Sequence, residues 1–214
     1  MRRSTAPGGG ADELLALCAR IICEEDVLDY RSAKLKALQR LGLGPKTALP
    51  DGAQIQAAVI EYQRLFGGQD YAKHLQQMRQ AAVQALRLLQ PFEPRLVGAV
   101  VSGALTQAHR VQIHVFADQA ETLDVFLESR SIEFEQGDRD YRYPDGGTDT
   151  IPLARFEAGE IGVDLAIFPL DDQRRAPLSP LDGLPMKRLT LAQAEVLAKQ
   201  DTASILAVPV PDPK

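Results

Sequence analysis

The sequence predicts an α+β protein, in which an N-terminal bundle of helices precedes a mixed or antiparallel sheet with flanking helices. Apolar residues recur every three or four positions over residues 11–90, which is the period of a helix. After the segment PFEPR the period changes to two, which is typical of strands. Pro91 and Pro94 both disfavour helix at the preceding residue and mark the boundary. We therefore expect a disordered tail at 1–10, a helical domain at 11–90, an α+β domain at 95–200 and a tail at 201–214.

The first half of the chain contains four amphipathic helical stretches. The second of them, RSAKLKALQRLG, ends at Gly42, a residue type that favours the left-handed conformation after a helix. Asp51 and Gln54 are three apart and predict a capping box for the third helix. The apolar positions of that helix step by four, three and four along one face: Ile55, Val59, Tyr62 and Phe66. Four such helices predict a small bundle.

The second half reads as strands separated by short helices. LVGAVV is a short apolar strand, and VQIHVFA is a second strand followed by the capping pair Asp118 and Glu121. Two further strands are joined by a turn around Ala158–Gly159. The remaining predictions are short strands at IEFE and YRY, an extended segment at QRRAPLSPLDGLPMKR, and a last helix capped by Thr190 and Gln193.

Length and charge narrow the class of protein. The 214 residues are 45% hydrophobic and 25% charged, which is ordinary for a soluble globular protein of one large or two small domains. The net charge is −5, of which residues 91–214 carry −8, so a nucleic-acid partner is not expected. No stretch approaches the roughly 20 apolar residues of a membrane span, and the N-terminus lacks a secretory pattern. Cys18 and Cys23 read as reduced helix residues, and we expect a cytoplasmic protein.

The strand RVQIHVF raises the question of function. Side chains alternate along a strand, so Arg110, Gln112 and His114 share one face and Val111, Ile113 and Val115 share the other. A guanidinium and an imidazole on one face can bind a phosphate or a carboxylate. The same face is also compatible with simple solvation, or with pairing to local carboxylates.

The order of elements around this strand resembles the nucleotidyltransferase superfamily, which has the fold of polymerase-beta-like enzymes. That family has a glycine–serine turn after a strand, then a strand carrying Asp-x-Asp, and a third acid on a later strand. Gly98–Ala99 stands at the turn, Gly103 matches a following glycine, and Arg110 and Gln112 stand at the two acidic positions. The third acid corresponds to Asp164. The resemblance covers about residues 95–170, and the helical half and PLSPLDGLPMKR look like parts of uncharacterised bacterial nucleotidyltransferase-like proteins.

The resemblance implies a scaffold for nucleotidyl transfer, and the two exchanged acids imply an altered centre. In the family, three carboxylates hold two magnesium ions that activate a nucleotide phosphate. Magnesium requires oxygen ligands, whereas Arg110 carries a permanent positive charge and Gln112 offers one neutral oxygen. We therefore expect no metal ligands. Asp164 is either a surviving catalytic acid or an ion-pair partner of Arg110, and the candidate residues for an anion are Gly98, Ser102, Gly103, Arg110, Gln112 and His114.

Two functional hypotheses follow. The first is a non-catalytic module that binds an anionic small molecule or nucleotide, or meets a protein partner through its helical half, and that needs no cofactor. The second is a divergent active nucleotidyltransferase that uses Mg²⁺ and a nucleoside triphosphate and transfers a nucleotide to a protein or a small molecule. A structural scaffold is a third possibility, which an apolar patch on the helices would favour.

Overall fold

The computed structural model describes residues 9–44 and 47–207 and confirms the α+β class. Within these residues there are eight α-helices and five strands. The helices are α1 (Gly9–Glu24), α2 (Tyr30–Leu41), α3 (Gly52–Tyr62), α4 (Gly68–Leu88), α5 (Ala99–Ser102), α6 (Ala120–Glu128), α7 (Leu191–Ala198) and α8 (Thr202–Leu206). The strands are β1 (Arg95–Val97), β2 (Val111–Phe116), β3 (Glu135–Arg142), β4 (Thr148–Ala158) and β5 (Ile161–Phe168).

The five strands form one mixed sheet in the order β1-β2-β5-β4-β3. The central pair, β2 and β5, is parallel, and the other three pairs are antiparallel. The register of the parallel pair places Gln112 opposite Asp164 and His114 opposite Ala166. Residues opposite each other in a sheet point to the same face, so the side chain of Gln112 lies beside Asp164.

The helical half is divided between two hydrophobic cores. Helices α1, α2 and α3 enclose one core, which contains Leu14, Ile22 and Val59. Helix α4 instead packs its apolar face against the sheet, in a core shared with β1, β2, β4 and β5. The predicted boundary at Pro91–Arg95 therefore does not separate the two cores, because α4 belongs with the sheet that it covers.

The predicted helix ends are confirmed where a side chain or a glycine caps the helix. Asp51 and Gln54 form a capping box at α3, and Thr190 and Gln193 form another at α7. Gly42 ends α2 with a φ of +62°, which a glycine adopts without the strain of a side chain. The pair Asp118 and Glu121 is wrong, because α6 begins after Gln119 and its N-terminus has no side-chain hydrogen bond.

Three further predictions on secondary structure are wrong. The apolar run LVGAVV is a strand only to Val97, because Gly98 turns the backbone at a φ of +78° and opens α5. The polar segment predicted as a turn between IEFE and YRY is itself a strand, β3, and residues 132–134 lie before its start. The predicted tail at 201–214 contains α8, whose Ile205 is buried in the sheet core. At the N-terminus α1 begins at Gly9, inside the predicted tail, and residues 1–8 and 208–214 lie outside the described part of the chain.

Arg79 links the C-terminal helices to the turn that follows β1. It is buried on α4, where its Nε donates to the carbonyl of Val100 at 3.3 Å and its Nη1 donates to the side-chain oxygen of Gln200 at 2.7 Å. Val100 lies in α5, and Gln200 lies between α7 and α8. A buried guanidinium needs such acceptors, so these two contacts hold three parts of the chain together.

The proline-rich segment, residues 173–188, crosses the face of the sheet that carries Gln112 and His114. It covers an aromatic and aliphatic cluster that includes Phe116, Tyr143 and Phe168, against which Met186 packs. At its middle the segment meets the first turn of α3: a methyl group on Gly52 would lie 1.7 Å from the carbonyl oxygen of Leu181. Only a glycine leaves room for this approach.

Candidate functional site

The strand RVQIHVF has the alternation that the sequence predicts. Val111, Ile113 and Val115 are fully buried in the core between the sheet and α4. Gln112 and His114 point to the opposite face, which the proline-rich segment partly covers. The polar residues of this strand thus lie between the sheet and a covering segment, and the face is not simply solvated.

Arg110 and Asp164 form an ion pair at one end of this face. The Arg110 Nε donates to Asp164 Oδ1 at 2.6 Å, and its Nη1 donates to Glu157 Oε1 at 2.5 Å. The guanidinium also donates to the carbonyl of Phe156 at 3.0 Å. Arg139 lies 3.8 Å from the other oxygen of Asp164. Asp164 is therefore an ion-pair partner of Arg110, which is one of the two roles that the sequence left open.

The residues at this position do not fit a pair of magnesium ions. A guanidinium occupies one oxygen of Asp164, and the neighbouring position across the sheet is an amide, Gln112. A magnesium site needs several oxygen ligands, preferably anionic. In residues 9–44 and 47–207 no group of three or more His, Cys, Asp or Glu side chains is placed to hold a metal ion.

The glycine turn after β1 brings Gly98 against Gln112. A methyl group on Gly98 would lie 2.4 Å from Gln112 Oε1, and the φ of +78° independently favours glycine. Ser102 follows in α5, where its hydroxyl donates to the carbonyl of Ala99 at 3.3 Å and accepts the Ala104 N–H at 3.2 Å. The glycine therefore lets the amide of Gln112 lie over the turn.

Gly103 and His114 lie outside the Gln112 side of the turn and contact other parts of the protein instead. The carbonyl of Gly103 accepts the Tyr71 hydroxyl at 2.8 Å, so this residue joins α5 to α4. His114 is 1% exposed, and its Nδ1 accepts the Arg188 Nε–H at 3.0 Å. Burial, together with the charges of Arg188 and Arg139, holds the pKa of His114 well below its usual value. The ring is a neutral acceptor for the end of the proline-rich segment.

A cleft of about 700 Å³ opens on the other side of Gln112. We call it the Gln112 cleft. Helices α2 and α3 form one wall, the turn after β1 forms the floor, and the proline-rich segment forms the opposite wall. Its lining combines apolar groups with a few polar ones, as ligand sites commonly do. The polar side chains on it are those of Tyr30, Gln56, Ser102, His109, Gln112, Ser179, Asp182 and Lys187.

His109 lines the Gln112 cleft, and its Nδ1 has a fixed partner. The backbone N–H of Thr106 donates to His109 Nδ1 at 3.0 Å, so in the neutral ring the proton is on Nε2. Burial lowers the pKa of His109, which keeps the ring neutral near pH 7. The Thr106 hydroxyl also lies 3.0 Å from His109 Nδ1, and the sequence alone indicated no partner for this histidine.

Three side chains of the cleft offer donors that have no partner among the described residues. Lys187 supplies a positive charge, and Gln112 and Tyr30 supply an amide and a hydroxyl. Burial raises the pKa of Tyr30 to about 12, so its hydroxyl remains protonated. Within the described part of the chain none of these three side chains has a hydrogen-bond or ion-pair partner. Asp182 is the one carboxylate among the described lining residues, and it already accepts the Leu184 N–H at 3.0 Å.

The structure thus brings together half of the predicted anion-binding residues. Gly98, Ser102 and Gln112 line the same cleft, whereas Arg110, His114 and Gly103 do not. His109, Lys187 and Tyr30 complete it and were missed. Lys187 lies in a segment that reads as irregular, and Tyr30 belongs to a different core, so only the tertiary fold places them beside Gln112.

Comparisons with protein-family models, curated proteins and solved structures give no match for this chain. None of the helices that the structure describes combines the length and apolarity needed to cross a membrane. The cleft and the ion pair are therefore interpreted from their own chemistry.

Proposed function

We propose that the chain is a nucleotidyltransferase-like scaffold with a degenerate metal site, and that its Gln112 cleft binds an anionic small molecule of the nucleotide class without a metal ion. The observation that carries the proposal is the contrast around Gln112. On one side Arg110 neutralises Asp164, and on the other side a donor-rich cleft remains open.

The order of the parts supports the scaffold. The elements follow one another in the order that the resemblance implies. A strand and a glycine turn come first, then a second strand with polar residues at its start, and then an acid on a neighbouring strand. The permanent charge of Arg110 stands where the resemblance implies a carboxylate, so divalent cations are repelled rather than bound at this position. The scaffold is therefore used for binding, and Asp164 has a structural role.

The donor set supports an anionic ligand. Lys187 supplies charge, and the His109 Nε2–H and the Gln112 amide supply directed hydrogen bonds, which are the contacts that phosphate oxygens accept. The apolar part of the lining, including Leu28, Leu184 and Met186, suits the flat apolar face of a base. A nucleotide has both features.

Calorimetric titration with ATP, AMP and pyrophosphate, each with EDTA and with magnesium, tests the proposal. We expect saturable binding of at least one probe in EDTA, with little change on adding magnesium. Lys187→Ala removes one charge-assisted contact and is expected to weaken binding about tenfold. Lys73→Ala, which removes an exposed lysine on α4, is the matched control.

Two outcomes contradict the proposal. One is the absence of binding by any probe in either condition, and the other is equal binding by Lys187→Ala and the unaltered protein. Magnesium-dependent transfer of a labelled nucleotide that is lost in Asp164→Asn would establish the alternative, an active nucleotidyltransferase.

The degenerate metal site has its own test. Arg110→Asp together with Gln112→Asp adds two carboxylates beside that of Asp164, which makes three, and removes the guanidinium. We expect this double variant to bind Mn²⁺, measured by calorimetry, and the unaltered protein to bind it much more weakly. Equal titration curves for the two proteins would contradict the correspondence of Arg110 and Gln112 with the family's acids.

A further inference from the structure

Two large apolar side chains protrude from the helical half of the molecule. Leu65 and Phe66 are 69% and 72% exposed. They lie in a π-helical turn, Gln63–Gly67, that continues α3 and joins it to α4. A π-helical turn shifts the side chains that follow it around the helix axis, and such turns are frequent at functional sites. Here the turn presents two consecutive apolar residues to solvent.

Phe66 is held in place although it is exposed. Its ring lies 4.5 Å from the ring of Tyr62, centroid to centroid, and the Tyr62 hydroxyl donates to Glu24 Oε1 at 2.6 Å. Glu24 is in turn bonded by Arg20 at 2.9 Å. A preordered aromatic side chain loses little conformational entropy when a partner covers it.

Beside Phe66 a groove runs between α1 and α3. Its volume is about 620 Å³, and its apolar lining includes Leu15, Ala19, Leu41, Ala58, Tyr62 and Phe66. We call it the α1–α3 groove. A groove between two helices, bordered by an exposed aromatic, has the shape that receives a third, amphipathic helix.

The rim of the α1–α3 groove is acidic. Asp12, Glu13 and Glu61 line it, and Arg20 is the one basic residue among the lining residues that the structure describes. Because Arg20 already pairs with Glu24, it does not offset the three carboxylates. None of these three carboxylates has an ion-pair partner among the residues that the structure describes. The charge therefore favours a basic partner and disfavours an acidic one.

We infer that the α1–α3 groove docks an amphipathic helix of another protein, with apolar residues on the face that enters the groove and Lys or Arg on its flanks. Phe66 and Leu65 are the apolar anchors, and Asp12, Glu13 and Glu61 select the basic flanks. This surface is distinct from the Gln112 cleft and does not depend on what the cleft binds.

The test uses two fluorescently labelled peptides of about 18 residues that carry leucine at helical spacing. One peptide has lysine and the other has glutamate at the flanking positions. Anisotropy titrations should show saturable binding of the lysine peptide and much weaker binding of the glutamate peptide. Leu65→Ser with Phe66→Ser should weaken the lysine peptide tenfold or more, and Glu13→Lys with Glu61→Lys should reverse the order of the two peptides.

Val125→Ser with Val196→Ser is the matched control, because these valines are 64% and 68% exposed on other helices. This control variant should bind the lysine peptide as the unaltered protein does. Equal weakening by control and test variants, or no binding of either peptide, would overturn the inference. Light scattering adds a further outcome: a dimer that Leu65→Ser with Phe66→Ser dissociates would assign the groove to a second copy of the chain.

Discussion

The polar face of β2 is used in opposite ways at two neighbouring places. At the first, which we call the paired end, Arg110 meets the carboxylates of Asp164 and Glu157 and a backbone carbonyl, so its charge is satisfied. At the second, the Gln112 cleft, Gln112 and Lys187 meet no partner in the described chain. The paired end is consequently part of the structure, whereas the cleft keeps its polar groups for a ligand.

A polar residue on a strand can thus have one of two roles: it stabilises the fold, or it lines a binding site. Buried charges need a compensating partner, and a protein pays a large free energy when one member of a pair is removed. Polar groups that line a wet cleft are satisfied by water, and their removal changes binding more than stability. The two places should therefore respond differently to substitution.

The largest expected effect is at the paired end. Asp164→Ala leaves Arg110 and Arg139 without their shared buried carboxylate. We expect the free energy of unfolding to fall by about 3 kcal/mol, measured by urea denaturation. Glu157→Ala removes the exposed partner of the same arginine and should cost less than about 1 kcal/mol. Equal losses in the free energy of unfolding for both variants would show that Asp164 stabilises the paired end no more than Glu157 does.

The next effect concerns the wall of the Gln112 cleft. Gly52→Ala places a methyl group in the space of the Leu181 carbonyl, so either α3 or the proline-rich segment must move. We expect a loss of about 2 kcal/mol in the free energy of unfolding. Gly44→Ala is the control, because among the described residues, chain neighbours aside, no atom lies within 4 Å of its added methyl group. A Gly52→Ala protein as stable as this control would mean that the segment is not fixed against α3.

The stability of the protein should depend on pH through His114, which contacts the same segment at Arg188. Its pKa is lowered in the folded protein, so the unfolded chain binds the proton more readily, and the associated stability is present above about pH 6.5 and is lost as the pH falls below it. The slope of stability against pH should be at most about 1.4 kcal/mol per pH unit from this group. His114→Gln keeps an acceptor for Arg188 and should flatten the slope, measured by denaturation between pH 7 and 5.

His74 and His109 provide the comparison for that measurement. Burial also lowers the pKa of each, so their contributions have the same sign. His114 is the most deeply buried of the three, and we expect His114→Gln to change the slope more than His74→Gln. If the slope of stability against pH is unchanged in His114→Gln, then His114 is not the group responsible for it.

The smallest effect on stability is expected in the Gln112 cleft itself. Lys187→Ala removes an exposed side chain without a described partner, so the free energy of unfolding should change by less than about 0.5 kcal/mol. Urea denaturation of this variant beside Asp164→Ala gives the contrast directly. A large loss of stability in Lys187→Ala would mean that the cleft residues hold the fold rather than a ligand.

Local signals in the sequence predicted local features well. The capping boxes at Asp51 and Thr190 and the glycine at position 42 are confirmed, because each acts within one turn of helix. The alternation of RVQIHVF is confirmed for the same reason, since a strand places successive side chains on opposite faces. The apolar run LVGAVV misled in this respect, because the resemblance alone implied a turn at Gly98 and neither signal predicted the helix that follows it.

Long-range contacts could not be predicted from the sequence in the same way. The period of α4 shows that the helix is amphipathic, but it does not show whether its apolar face meets other helices or a sheet. His114 reads as a candidate ligand, and only the distant Arg188 makes it a buried acceptor. The Gln112 cleft depends on Tyr30 and Lys187, which are more than 150 positions apart in the sequence.

The contacts of Arg79 have a consequence for any shortened form of the chain. A protein ending at Lys199 would retain every residue that lines the Gln112 cleft, yet it would lose the amide of Gln200. The guanidinium would then have the Val100 carbonyl as its remaining described acceptor. Removing the last helix would thus disturb the distant helix α5, which carries Ser102. A fragment chosen by its lining residues alone would therefore not reproduce the intact cleft.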